Sequence, residues 1–505
     1  MNSLDSTLFF NFSGRDFPDY SKTSFDSMLV KKGLVREAGF ALETMSRFQD
    51  FPSCDLEGAI LFPAFSDAHV HFFQTALMMI GVSFEKAKSL RDVFDLLKDF
   101  SKKNSEDWIL GWGLDETNLS EGRLPTCREI DAVIPGRKVW LSRIDLHSAV
   151  ANSPVVSWAI SKFPDINCDK GHFWREDYIR ISGIVYSELP ASLKKKGLAV
   201  ARDRFLKSGV SAVHALEGGW NISDDDVQET AEFLSEPGFH GVVYHQSEDI
   251  SLSRKNGWPR LGGCLFVDGS FGSRTAALKE PYADFPDSNG TMYRDASQLR
   301  SLIRFCTKER VQLAMHAIGD LAIENLVNSH QWVFENWGSP PLSHRIEHFE
   351  LPDDLAILAA RDASLFISVQ PAFEVLWGGN EGMYFKRLGP KRVMRTNPFR
   401  TIFSRGIPIA AGSDSPVTPI NPFLGIHGFV QHPNPDERID LNRALAAYIY
   451  EPHRFSGEIG SRGTLKQGYQ ADFVCMAQDP FLISYSEIRN QKISRIFVDG
   501  VEVYV

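Results

Sequence analysis

The sequence predicts a (β/α)8 barrel, with a small β domain drawn from both ends of the chain and an insertion after the first barrel strand. Three observations predict it. Eight short β-rich runs recur along the 505 residues, with helical spacing between them. Five of the eight runs carry a histidine at or near their C-terminal end, although the chain holds only 14 histidines. Both ends are built of short apolar runs broken by glycine, without a long helical period.

The first barrel run is Leu61 to Phe72 and contains Asp67, His69 and His71. In a strand, period-two alternation puts these three on one face, and two imidazoles a few Å apart suit a transition metal. The remaining runs are Val210 to Ala215, Gly241 to His245, Leu261 to Asp268, Val311 to Ala317, His344 to Phe349, Ser364 to Gln370 and Ile407 to Gly412. A barrel of this kind carries its chemistry at the C-terminal ends of the strands. Those ends hold His69 with His71, His214, His245, Cys264 with Asp268, His316, His348, Gln370 and Asp414. Asp414 stands where a run passes into the turn Gly412-Ser413-Asp414-Ser415-Pro416. A carboxylate there can hold an ion and accept the proton of an attacking water, or serve only as a turn residue.

More than a hundred residues separate His71 from Val210. That is too long for a structureless loop, so an inserted subdomain is expected over 82–205, with amphipathic stretches near 88–103 and 191–208. The segments 1–62 and 456–505 are expected to build one β domain, closed by a hairpin at Val498-Asp499-Gly500-Val501, and the barrel is expected over 63–455.

Composition narrows the partners. A formal net charge of −10 and 23% charged residues leave no basic footprint for nucleic acid or an anionic membrane, and no apolar run is long enough to span a bilayer. Six scattered cysteines without CxxC spacing, and no apolar leader behind a basic start, point to a reduced cytoplasmic protein. A small-molecule substrate is the expected partner, a homodimer is compatible with this reading, and the sequence does not fix the oligomeric state.

The motifs Phe62-Pro63-Ala64-Phe65-Ser66-Asp67-Ala68-His69-Val70-His71, Trp108 to Gly113, Leu141 to Ser148, Asp268 to Ala276, His316-Ala317-Ile318-Gly319-Asp320, Arg345-Ile346-Glu347-His348 and Gly412 to Pro416 together resemble the amidohydrolase superfamily, in its YtcJ-like branch with the N-substituted formamide deformylases. The resemblance runs through nearly the whole chain. It implies a metal-dependent hydrolase on a (β/α)8 barrel flanked by a β-sandwich from both termini. His69 and His71 match the first-strand ligands, His316 the fifth-strand ligand, His348 the sixth-strand ligand and Asp414 the eighth-strand aspartate; Asp414, able both to hold an ion and to take a proton, is the general-base candidate. The branch carries a lysine four residues before Asp-Gly-Ser, carboxylated and bridging two metals, and here Cys264 takes that place. Three readings follow: Cys264 replaces the carbamate as a zinc ligand or bridge, it only lines the pocket of a single-metal site, or the site is degenerate with little activity. One or two divalent ions, zinc foremost, are therefore expected.

His147 in the insertion, Arg274 beyond the fourth strand and Gln370 are the candidate substrate contacts. Phe72, Phe73, Trp112, Phe271, Phe373 and Trp377 lie beside the site segments, which favours a hydrophobic N-substituent. The expected reaction is hydrolysis of a C–N bond in an amide, formamide or related N-acyl compound. The competing readings are a binding or regulatory protein on the same fold, and a non-hydrolytic isomerase or dehydratase.

Overall fold

The structure, a computed structural model, describes residues 6–47, 50–144, 148–219 and 222–504. The chain forms two compact units. One takes Met1–His71, Asp203–Leu216 and Leu234–Val505, and the other Phe72–Arg202 and Glu217–Phe233.

The first unit holds the barrel. Its strands are β1 (Phe65–Val70), β2 (Val210–Glu217), β3 (His240–His245), β4 (Arg260–Phe266), β5 (Gln312–Ala317), β6 (Arg345–His348), β7 (Phe366–Val369) and β8 (Ile409–Ala411). They are ordered as in the chain, and the pairs β1–β2 and β3–β4 through β7–β8 run parallel. Closure comes from a parallel bridge between Val70 and Ser415, with Asp414 N donating to His69 O at 2.8 Å and His71 N to Ser415 O at 2.9 Å. All six residues of β1 are buried, as a strand covered on both faces must be.

Local chemistry sets the helices of this unit. Asp295 caps Ala296–Lys308 in a capping box with Gln298, and Leu299, Leu302, Ile303 and Cys306 form its buried stripe. Asp353 caps Asp354–Asp362 through Ala356 N.

Two close approaches shape the barrel interior. In β4 the register slips between Gly262 and Leu265, where Gly262 and Gly263 have φ of 90° and 112°. A Cβ at Gly262 would lie 2.1 Å from Ala314 O, so only glycine permits this bulge, which sits immediately before Cys264. At the closing seam, a Cβ on Gly412 would lie 2.4 Å from His69 N.

The first unit also contains a seven-stranded sheet fed from both ends of the chain. Its spatial order is Val501–Tyr504, Ile493–Val498, Phe473–Met476, Ser53–Pro63, Ser6–Gly14, Phe25–Lys31 and Leu34–Gly39. Phe473 and Phe497 stack at 4.4 Å with Phe9 edge-on to both, giving the sheet its aromatic core. The expected hairpin forms, with Asp499 and Gly500 both at positive φ and Val498 opposite Val501.

The second unit is built on a five-stranded sheet ordered His172–Trp174, Ser148–Ala151, Lys138–Arg143, Trp108–Leu114 and Val82–Ser83. The amphipathic stretch near 88–103 is the helix Leu90–Lys103, capped by Ser89 and burying Val93 and Leu97, and the stretch near 191–208 is Ala191–Lys207.

The bulge supplies a test. Gly262→Ala must displace the Ala314 carbonyl and hold a left-handed backbone, a cost of roughly 2 kcal/mol or more. Thermal unfolding of the variant should show a clearly lower Tm, whereas Gly257→Ala, with open space around its Cβ, should lower it much less.

Candidate metal centre

The centre is assembled at the C-terminal ends of β1, β4, β5, β6 and β8. His69 is wholly buried, its Nδ1 2.7 Å from Glu347 Oε2. A carboxylate can only accept, so Nδ1 carries the proton and Nε2 keeps its lone pair for the interior. That Nε2 lies 3.2 Å from Asp414 Oδ1 and 3.4 Å from Cys264 Sγ. His71, just past the end of β1, sets Nδ1 3.2 Å from the Leu216 carbonyl and Nε2 3.3 Å from Asp414 Oδ1. His348 Nε2 lies 3.9 Å from Cys264 Sγ.

Among the described residues two donor triads result, His69–Cys264–His348 and His69–His71–Asp414, each with its ligand atoms within 4.8 Å of one another. Both draw on His69, which has one free nitrogen to give. His316 stands beside them, its ring 4.3 Å from that of His348. Its Nε2 is 3.0 Å from Gly269 O, and its buried Nδ1 is without a hydrogen-bond partner among the described residues.

Backbone conformation turns two of these donors inward. His348, the last residue of β6, and Asp414, in the turn after β8, have φ of 73° and 56°, so the backbone at each enters the left-handed region. For a histidine that conformation costs on the order of 1 kcal/mol, and aspartate tolerates it better.

The donors fit a divalent transition ion. Imidazole nitrogen, thiolate sulfur and a carboxylate oxygen are the ligand types of zinc and its neighbours. Among the described residues, buried Asp414 Oδ1 and His348 Nδ1 have no hydrogen-bond partner. A buried carboxylate oxygen left unbonded beside imidazole and thiol donors is a group that a cation would satisfy. The electrostatics agree. Burial pushes the Cys264 thiol up, but His69, His316 and His348 outweigh it and hold the thiol well below its usual range. Burial likewise raises Asp414, and His69, His71 and His348 bring it far below the ordinary carboxylate range.

The other expected residues are distributed differently. Gln370 is buried at the end of β7, and neither amide atom finds a hydrogen-bond partner among the described residues. Arg274 forms a two-pronged pair with Asp284 at 3.1 and 2.9 Å, and Arg387 shares that carboxylate, so its guanidinium braces the loop. His147 lies outside the described residues. Asp67 ties the seam, its Oδ1 accepting from His69 N at 3.1 Å and Ser413 N at 2.9 Å. His214 Nδ1 is 2.9 Å from Arg345 Nη1. Glu347 had no role in the sequence reading. Alternation in β6 puts it on the face of Arg345, a buried ion pair two residues apart, which is the signal that could have marked it.

Comparison with known proteins follows the same line. The amidohydrolase family model matches residues 53–163 and 199–504. YtcJ of Bacillus subtilis (strain 168) is 26% identical over 516 residues, 95% of this chain and 96% of that protein. The N-substituted formamide deformylase of Arthrobacter pascens is 20% identical over 96% of both chains. A crystal structure of an uncharacterized metal-dependent hydrolase from Pyrococcus furiosus superposes with a TM-score of 0.79 at 25% identity, covering 94% of this chain and all of that one. The chain belongs to the amidohydrolase family, and the expectation of a hydrolase acting on C–N bonds stands with it. Its place is the YtcJ-like branch. Among the described residues no helix is long and apolar enough to cross a membrane.

In the helix Ala372–Trp377, Glu374 is buried with Asn397 Nδ2 at 2.8 Å from one oxygen and, among the described residues, no hydrogen-bond partner for the other; burial raises its pKa to about 7. The folded state therefore binds a proton that the unfolded chain has lost between pH 4.5 and 7, so this group's contribution to stability falls as pH rises through that window. Glu374→Gln should flatten the decline by roughly 1–3 kcal/mol between pH 5 and 8, read from denaturant unfolding across that range.

Proposed function

We propose that the protein hydrolyses the C–N bond of a formamide or related N-acyl amine with a hydrophobic N-substituent, and that Asp414 is its general base. The observation that carries this is the convergence of His69, His71, Cys264, His348 and Asp414, from four separate strands, on one buried point. An ion held by these residues would polarise the substrate carbonyl and acidify water. Asp414, with Oδ1 between the Nε2 atoms of His69 and His71, takes the proton of the attacking water and passes it to the leaving nitrogen. The unbonded amide of Gln370 is suited to a polar group of the substrate. Phe373 lies nearly parallel to His348 at 6.1 Å and Trp377 packs on it at 4.7 Å, an aromatic wall beside that donor. That wall, and a relative named for N-substituted formamides, support the substrate class.

Zinc is the ion proposed, with Cys264 as a ligand where the branch carries a lysine. Zinc content after dialysis against a weak chelator should fall at least tenfold in Cys264→Ala relative to the natural chain. Equal retention would leave the thiol as a lining group only.

Activity is tested on the zinc-reconstituted chain with a panel of N-alkyl and N-benzyl formamides and N-acyl amines, following amine release. Asp414→Asn with zinc retained should lose 10²- to 10⁴-fold in kcat. Binding without turnover at every zinc loading would point instead to a binding or regulatory protein.

A further inference from the structure

Arg345, at the start of β6, is wholly buried inside the barrel and bonded on every side of its guanidinium. Nε and Nη2 grip the two oxygens of Glu347, with Nη2 2.8 Å from Oε2. Nη2 also donates to the carbonyl oxygen of Ala68 at 2.7 Å, Nη1 lies 2.9 Å from His214 Nδ1, and the Tyr244 ring faces the group at 4.7 Å. Two of these partners lead to the same residue. Glu347 Oε2 receives the Nδ1 proton of His69, and the Ala68 carbonyl belongs to the peptide bond that joins Ala68 to His69.

We infer that Arg345 is a positioning residue for the metal centre, clamping the ring of His69 through Glu347 and its backbone through the Ala68 carbonyl. The inference rests on His69 being a ligand. A planar fork is suited to such a clamp, because it holds both carboxylate oxygens in one plane, so Oε2 stays aimed at Nδ1, while the same nitrogen reaches the peptide oxygen. A lysine in its place has one compact head and cannot hold all three oxygens in this geometry. A methionine fills the space and holds none. Without the clamp the Glu347 carboxyl can rotate and the imidazole can turn about χ2, which removes Nε2 from its place facing Cys264 and Asp414. Loss of a group that orients a ligating histidine typically weakens metal binding 10- to 100-fold.

The test uses the full chain, stripped of metal, as natural protein and as Arg345→Lys, Arg345→Met and His69→Ala. Zinc affinity is measured by competition with a chromophoric chelator. The visible absorption of the cobalt(II)-loaded proteins reports ligand geometry, which a merely structural role would leave unchanged. Arg345→Lys should bind zinc 10- to 100-fold more weakly, with a shifted cobalt band and an unchanged far-UV circular dichroism spectrum, and Arg345→Met should bind it no better. Folded Arg345→Lys that binds zinc within a factor of two of the natural chain, with the same cobalt band, overturns the inference, whether or not Arg345→Met folds. His69→Ala keeps the two ideas apart: if it binds zinc as tightly as the natural chain, His69 is not a ligand and the underlying reading fails.

Discussion

The seam between β1 and β8 is the constraint on which the rest depends. His69 and His71 belong to one side of it and Asp414 to the other. They meet because Asp414 N bonds to His69 O, His71 N to Ser415 O, and Asp67 ties His69 N to Ser413 N. Gly412 lets the two strands approach closely enough, since any side chain there would strike His69. Most of a donor triad therefore exists only when the barrel has closed. An ion bound across the seam favours the closed state over any opened one by mass action, so metal binding and barrel integrity are thermodynamically linked.

The charge balance around that seam is unusual for a protein interior. Cys264, Asp414 and Glu347 all favour their anionic forms in a largely buried region. Arg345 offsets Glu347 directly, while the cluster of imidazoles, or an ion among them, is left to offset the thiolate and Asp414. Buried anions are tolerable only with such partners. Removing one histidine thus changes the whole set, and effects of paired substitutions among these residues should not add.

Much of this was legible in the sequence, for physical reasons. Short buried parallel strands read as runs of β-branched and small residues, and the eight expected runs all contain the observed strands or most of them, as with Val311 to Ala317 and β5. The HxH spacing of His69 and His71 reports a strand face directly. Asp67 shows the limit of that rule: it shares their face, yet its carboxylate is spent on backbone N–H groups. Glu347 escaped because its significance lies in a partner 278 residues away. The inward turn of His348 depends on a positive φ that residue type alone does not reveal. Arg274, expected at substrate, is held by Asp284, whose nearness depends on how a long loop folds back.

The sheet fed from both ends of the chain has a consequence for biosynthesis. Ser53–Pro63 pairs with Phe473–Met476, with Phe62 opposite Val474, partners more than 400 residues apart. A ribosome makes the first strand long before the second, so the apolar face carrying Phe9, Leu61 and their neighbours has no cover from Phe473 and Phe497 through most of translation. Such exposed strand edges are prone to association. The nascent chain thus needs its last strands, or a chaperone in their stead, before this layer is safe, even though the barrel residues are by then already synthesised.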